Sequence, residues 1–287
     1  VIHVHFGHVA IRYLDVLMEV DIPCCVSLYG FDYEYLPFAR PRTLDQYVQL
    51  ARKGVCFTAE GSYSKKLLMH YGIAEEQIFV LHLLSAFPQK ATIGKFSQAI
   101  RCIQAASFTE KKNQLGFIEA LHKRHAGRFV IQLVGEASDK SYFREVQTAV
   151  SKKKEQDIHI MEVMPYGQYM EFIAQSHFAI QFSKRAKNQD TEGGCPVFIK
   201  DALMTGRPVC TTRHCDIPDT IVHGFNGFLV DEDSQEQISE TLDVMMKLSA
   251  KDYHKLAMQA GQSTRIHVGN HLSCVELLQI YKTLTGI

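Results

Sequence analysis

The sequence predicts an α/β protein built from two Rossmann-like units, each a parallel sheet with helices on both faces. Three observations predict it. Strand-like and helix-like segments alternate along nearly all of the 287-residue chain, as parallel sheets with crossover helices require. The alternation breaks at residues 85–98 (S-A-F-P-Q-K-A-T-I-G-K-F-S-Q), a stretch that reads as an interdomain linker. Residues 177–212 then run strand, glycine loop, helix, strand, the arrangement that gathers ligands at strand ends.

In chain order, V-I-H-V-H-F (1–6) is apolar enough for a strand. Val9, Ile11, Leu14, Leu17 and Met18 then predict one helix over 9–19. Strand 24–28 runs directly into Tyr29-Gly30-Phe31-Asp32, at a carboxyl end. Helix 44–52, strand 55–58, helix 62–71 closed by Gly72, and strand 78–83 complete the first unit. The second opens with strand 99–106, the loop S-F-T-E-K-K-N and a helix over 114–125. Strand 129–134 ends in Gly135-Glu136, and helix 141–150 and strand 158–163 follow, then Met164-Pro165-Tyr166 and a helix to residue 174. Beyond strand 208–212 come strand 228–230 and helices 235–248, 253–266 and 272–285.

Composition narrows the function. The 31 basic and 31 acidic residues cancel, which argues against a nucleic-acid surface, since that needs a basic excess. The eight cysteines lack metal spacing and the fourteen histidines are scattered, so no metal site is predicted and a reducing, cytoplasmic setting is the simplest inference. No apolar run reaches the roughly 18–20 residues of a membrane span. The chain begins Val-Ile-His in mid-strand, and a longer natural protein is expected.

The chemistry concentrates in residues 190–209, D-T-E-G-G-C-P-V-F-I-K-D-A-L-M-T-G-R-P-V. Gly193 and Gly194 let a ligand approach the backbone. Pro196 suits the first turn of a helix, whose free N–H groups carry a partial positive charge that can hold a diphosphate. Asp201, inside that helix, can accept from sugar or ribose hydroxyls. Taken alone, a Gly-Gly-x-Pro turn fits a tight turn with solvated acids better than a binding loop.

The stretch resembles the donor-sugar motif of family 4 retaining glycosyltransferases, E-G-G-x-P, four residues, E-A, then G and P-V, with Asp201 where the family has its second glutamate. The likeness continues through P-V-C-T-T-R-H-C-D-I-P-D and H-G-F-N-G-F-L-V. It implies the GT-B fold: two Rossmann-like domains with parallel sheets facing a cleft, here with an incomplete N-terminal domain. Residues 1–95 would form the acceptor side, 96–268 the nucleotide-sugar-binding domain, and 269–287 a helix packing back on the first.

The same resemblance implies the site. Glu192 would bind the donor sugar, and Gly193, Gly194, Cys195 and Pro196 the distal phosphate, with Asp201 on the ribose. In S-F-T-E-K-K-N, Lys112, aided by Lys111, would neutralise the diphosphate. Ser107 replaces the family's arginine, and Arg101 and Arg185 are the nearby substitutes. Gly135 matches a family glycine turn, and Met164 would lie near the base. His5 and Asp32 would face the reacting centre. Tyr29 and Gly30 resemble part of the family's H-G-x-D, with tyrosine replacing histidine, so a proton-carrying role there is in doubt.

The implied reaction moves a sugar from a nucleotide-diphosphate sugar to a saccharide or lipid-linked acceptor, with retention and without metal or other cofactor. Family members often work at the inner face of the membrane, which allows peripheral association. Three alternatives stand beside this: a non-catalytic nucleotide-sugar-binding or scaffolding relative, a GT-B epimerase or phosphorylase, and a dehydrogenase. The last lacks a G-x-G-x-x-G after the first strand.

Overall fold

The computed structural model describes residues 1–82, 96, 99–267 and 270–286. The expected linker at 85–98, Phe96 apart, and the expected boundaries at 95 and 268 lie outside them. Two compact units emerge: Val1–Leu84 with Arg185–Cys195 and His267–Ile287, and Ser85–Lys184 with Pro196–Ile266.

The first unit carries β1 (Ile2–His5), α1 (Gly7–Arg12), α2 (Leu14–Glu19), β2 (Cys24–Ser27), α3 (Leu36–Ala39), α4 (Arg42–Arg52), β3 (Cys56–Ala59), α5 (Ser62–His70) and β4 (Ile78–Val80). Its four strands pair in parallel in the order β1-β2-β3-β4. C-C-V-S and C-F-T-A are buried throughout, as strands covered on both faces are. Val26, Leu28, Tyr47, Leu50, Phe57 and Leu68 pack the core. One expectation fails locally. The helix predicted over 9–19 is two, broken at Tyr13 with φ −106 and ψ 23. Residues 31–39, to which the sequence reading assigns no element, form a wide π-type turn, Phe31–Tyr35, that runs into α3.

The second unit carries β5 (Ile100–Ala105), α6 (Gln114–Ala120), β6 (Phe129–Val134), α7 (Lys140–Lys152), β7 (Asp157–Met161), α8 (Tyr166–Gln175), β8 (Phe178–Gln181), α9 (Val197–Met204), β9 (Val209–Thr212), α10 (Ile217–Thr220), β10 (Gly227–Val230), α11 (Gln235–Lys247) and α12 (Ala250–His267). The last helix, α13 (Asn270–Thr285), falls with the first unit. All six strands are parallel, in the order β10-β9-β8-β5-β6-β7. Read from β5 as first strand, that is the doubly wound order 3-2-1-4-5-6, whose direction reverses between β5 and β8. Phe117, Ile131, Phe178, Ile180, Phe182 and Tyr253 pack its core.

Local chemistry explains the element ends. Gly206 ends α9 with φ 73, the left-handed stop a glycine allows. Arg207, 1% exposed, donates from Nε to the Ile173 carbonyl at 3.2 Å and from Nη2 to that of Ala174, satisfying the end of α8. The helix expected over 114–125 stops at Ala120, and a 3₁₀ turn, Lys123–His125, takes its place.

Candidate active site

In the first unit the donor-motif turn is pressed against the loop after β2. A Cβ on Gly30 would stand 1.7 Å from the Glu192 carbonyl oxygen, and one on Gly193 would stand 2.2 Å from the Gly30 Cα. Gly193 also has φ 73, a left-handed conformation that favours glycine. The side of Gly194 where a side chain would stand is taken by the Glu60 carboxylate, 2.0 Å from an ideal Cβ. These glycines are therefore demanded by protein packing, a reason the sequence reading did not contain. Glu60 is buried and accepts from the Gly30 N–H at 3.2 Å and the Tyr33 hydroxyl at 3.0 Å. Glu192 is half-buried in this turn, and Cys195 is buried at its end.

The carboxyl end of β1 lies beside the same loop. His5 is exposed, and its Nδ1 is 2.8 Å from the Tyr29 hydroxyl. A hydroxyl that donates there leaves the Nε2 proton on the ring. His3 stacks on His5 at 4.4 Å and bridges the Tyr281 hydroxyl of α13 at 2.6 Å and the Ser27 hydroxyl at 2.7 Å. Burial, then the charge of His5, lowers the pKa of His3. Phe6, between strand and helix, is exposed and carries φ 74, an outlier for a bulky residue of the kind that gathers at functional sites. Asp32 is fully buried. It accepts from the Tyr29 N–H at 3.1 Å and stands 3.4 Å from Nδ1 of His8.

In the second unit the expected donor residues gather at the carboxyl edge of the sheet, where the strand order reverses. Ser107 follows β5. A Cβ on Gly135, just past β6, would stand 2.0 Å from the Ala106 carbonyl. The loop after β5 meets the loop after β8 directly, through the Lys184 N–H on the Lys111 carbonyl at 3.0 Å. The Gln104 amide donates to the Lys112 carbonyl at 2.8 Å. Asn113, at φ 53, caps α6 through the Gly116 N–H. Lys111 and Lys112 are thus held at the reversal point by their backbones. Met164 is half-buried just past β7.

Asp201 is buried on α9 and accepts from the Tyr169 hydroxyl of α8 at 2.8 Å. Burial first, then the Asp201 charge, pushes the Tyr169 phenol well up, so it stays a donor. Pro196 stands at the cap, one residue ahead of α9, with φ −53 and ψ 136.

Both substitutes for the missing arginine have partners within the protein. Arg101 sits at the amino end of β5, the wrong end of the sheet, and donates to the Gln175 carbonyl at 2.7 Å. Arg185 pairs with buried Glu34 at 2.9 Å, and Glu34 also accepts from Tyr63. Sequence reasoning missed Glu60, Tyr169 and Glu34. Each lies far in sequence from its partner, and nothing local announces it. Among the described residues no group of three or more His, Cys, Asp or Glu is placed to hold a metal ion, and no helix is long and apolar enough to cross a membrane.

A doubly wound parallel sheet in one unit and a four-stranded parallel α/β sheet in the other are the two components of a GT-B fold. The signature of the group 1 glycosyl transferases matches residues 87–265, well over half of the chain, and the chain belongs to that family. The chain is 23% identical over 190 residues to the amylovoran biosynthesis glycosyltransferase AmsK of Erwinia amylovora. That match covers 65% of this chain and 46% of AmsK, so the chain spans about half the length of the curated relative it matches. Among solved structures, Anabaena Alr3699/HepE in complex with UDP-glucose aligns with a TM-score of 0.78 at 15% identity, over 99% of this chain and 79% of that one. Sucrose-phosphate synthase from Thermosynechococcus elongatus aligns at 0.77 and 11% identity, over 99% and 73%. At such identities the likeness is one of fold.

Proposed function

We propose that the chain belongs to a retaining glycosyltransferase that moves a sugar from a nucleotide-diphosphate sugar to an acceptor hydroxyl in polysaccharide or glycolipid synthesis, on the cytoplasmic side. The observation that carries this reading is the backbone contact of the Glu192–Gly193 turn with Gly30 in the first unit. It sets a donor-motif acid beside the loop that carries Tyr29 and Asp32.

In this reading Lys112, aided by Lys111, and the N–H groups leading into α9 take the charge of the departing diphosphate, so no metal is needed. Gly193 and Gly194 shape that turn. Asp201, with Tyr169 donating to it, binds the ribose, and Glu192 orders the sugar hydroxyls. The bond from the anomeric carbon to the phosphate oxygen breaks, and a bond from the acceptor oxygen forms on the same face. The acceptor proton passes to the leaving phosphate, so no protein nucleophile is required. His5, held by Tyr29, offers an N–H to the reacting sugar, and Asp32 orders the loop around it.

A second reading, a non-catalytic nucleotide-sugar-binding relative, draws on two substitutions: Ser107 for an arginine and Tyr29 for a histidine. One experiment separates them. The protein is incubated with UDP-, GDP- and ADP-sugars, and release of nucleoside diphosphate is followed with wild type and Glu192→Ala. Turnover by wild type, reduced at least about 100-fold in the variant at unchanged Tm, supports transfer. Retention is then checked by NMR of the product's anomeric proton. Binding without turnover for any donor favours the non-catalytic relative, and no binding at all overturns both.

A further inference from the structure

Apart from the residues given roles above, the first unit contains a cavity of about 500 Å³ between α1, α3 and the start of α4. Its apolar lining is Ile11, Leu36 and Pro41. Its charged lining is cationic only. Arg40 and Arg42 are exposed and make no ion pair among the described residues, and His8 stands beside them. The remaining lining is Thr43 and Gln46, with no carboxylate. Sites for neutral sugars need acceptors for hydroxyl protons, and this lining is poor in them. It suits an anion joined to something apolar, and its volume falls in the range of small-ligand sites, about 300–1,000 Å³.

Two further observations connect the cavity to the reaction. His8, on its wall, is 3.4 Å from Asp32, so the cavity adjoins the loop that faces the reacting centre in the proposed mechanism. From His8 a chain of rings runs along the surface. Phe31 lies 6.1 Å away edge-on, Tyr35 lies 5.7 Å from Phe31, and Phe38 lies 6.4 Å from Tyr35. Phe31 and Phe38 are 46% and 62% exposed, an unusual outlay of apolar surface on the segment that leads through α3 to Arg40. Guanidinium forks grip phosphate bidentately, and exposed rings next to them cover an apolar chain.

We propose that this cavity is the anchor site for an acceptor carrying a phosphate on an apolar chain, with Arg40 and Arg42 on the phosphate and Ile11, Leu36, Phe31 and Phe38 along the chain. The proposal rests on the glycosyltransferase reading, since it names the acceptor class of that site. The phosphate would supply the anionic partner that Arg40 and Arg42 lack among the described residues.

The test is equilibrium binding of farnesyl monophosphate to the whole chain, followed by calorimetry below its micelle concentration. Farnesol, inorganic phosphate and glucuronic acid are the comparison ligands. Farnesyl monophosphate is expected to bind, with each comparison ligand at least about tenfold weaker. Arg40→Ala/Arg42→Ala should weaken it at least tenfold, and Arg40→Glu/Arg42→Glu should abolish it. Both side chains are exposed, so these variants keep the wild-type Tm and nucleotide binding. That separates failure here from failure of the donor reading. Phe38→Ser should weaken the phosphate-bearing chain while leaving the weak binding of inorganic phosphate unchanged. Equal binding by wild type and the double alanine variant would overturn the proposal. So would inorganic phosphate or glucuronic acid binding as tightly as farnesyl monophosphate.

Discussion

At the residue scale the candidate site depends on contacts that admit no side chain. Gly30 and Gly193 face each other across a gap that a single Cβ closes. Gly30→Ala must displace the Glu192 carbonyl, and overpacking of this kind costs about 1–3 kcal/mol. A lowered Tm together with loss of transfer is expected, and a variant with wild-type Tm and activity would contradict the contact. Glu60 ties the same two loops together. Glu60→Gln keeps an acceptor for the Gly30 N–H, whereas Glu60→Ala strands that N–H and the Tyr33 hydroxyl, each buried group costing about 1–3 kcal/mol when unmade. Chemical denaturation should therefore rank wild type, Gln, then Ala. His3 sets a pH dependence. Its folded pKa lies below the ordinary histidine value because of burial and the His5 charge, so the unfolded chain takes up a proton that the folded chain resists. Stability is full above about pH 6.5 and falls as pH drops below it. His125, also lowered by burial first, adds to the same slope. His3→Gln should flatten the fall of Tm between pH 7 and 5, and an unchanged slope would show that His3 is not the group. The glycine loop was legible here because Gly and Pro carry local meaning, whereas a role for Glu192 came only from the family resemblance. Glu60 was not legible, because a buried acid looks like a solvated one until the chain folds back on it.

At the element scale, alternation of apolar runs located the ten strands of the described residues, since short buried strands of Val, Ile, Cys and Phe bounded by turns leave a clear pattern. Their ends shifted by up to three residues, the most at β4, which ends at Val80. The break at Tyr13 and the helical turns over 31–39 were not legible, because neither site carries a glycine stop and Pro37 sits in a first turn, where proline is tolerated. The loop after β5 holds the most informative element end. Asn113 combines φ 53 with a cap on the Gly116 N–H. Asn113→Ala loses the cap and strains the backbone, costing about 1–2 kcal/mol, whereas Asn113→Gly relieves the strain and should cost only a few tenths. Urea midpoints measure both, and an alanine variant as stable as the glycine one would contradict the left-handed assignment. The same alanine variant should weaken nucleotide binding, because Lys111 and Lys112 directly precede the cap.

At the scale of the whole molecule, the strand order could not be read from the sequence, for strand order is a tertiary fact. It proves decisive. The reversal between β5 and β8 marks where a ligand belongs, and there the backbone of Lys111 meets that of Lys184. The central claim is that this edge binds a nucleoside diphosphate through Lys112 and backbone N–H groups, without metal. Binding to the native state alone raises stability by about 2.7 kcal/mol when the ligand is present at 100 times its Kd, so thermal shift reads it directly. The most direct measurement compares UDP, GDP and ADP in the presence of EDTA, on wild type and Lys112→Ala. The account predicts that one nucleotide raises the wild-type Tm, that added magnesium changes the shift little, and that the variant loses most of it at unchanged ligand-free Tm. A well-folded wild type that none of the three stabilises, or a Lys112→Ala variant stabilised as strongly as wild type, would contradict it.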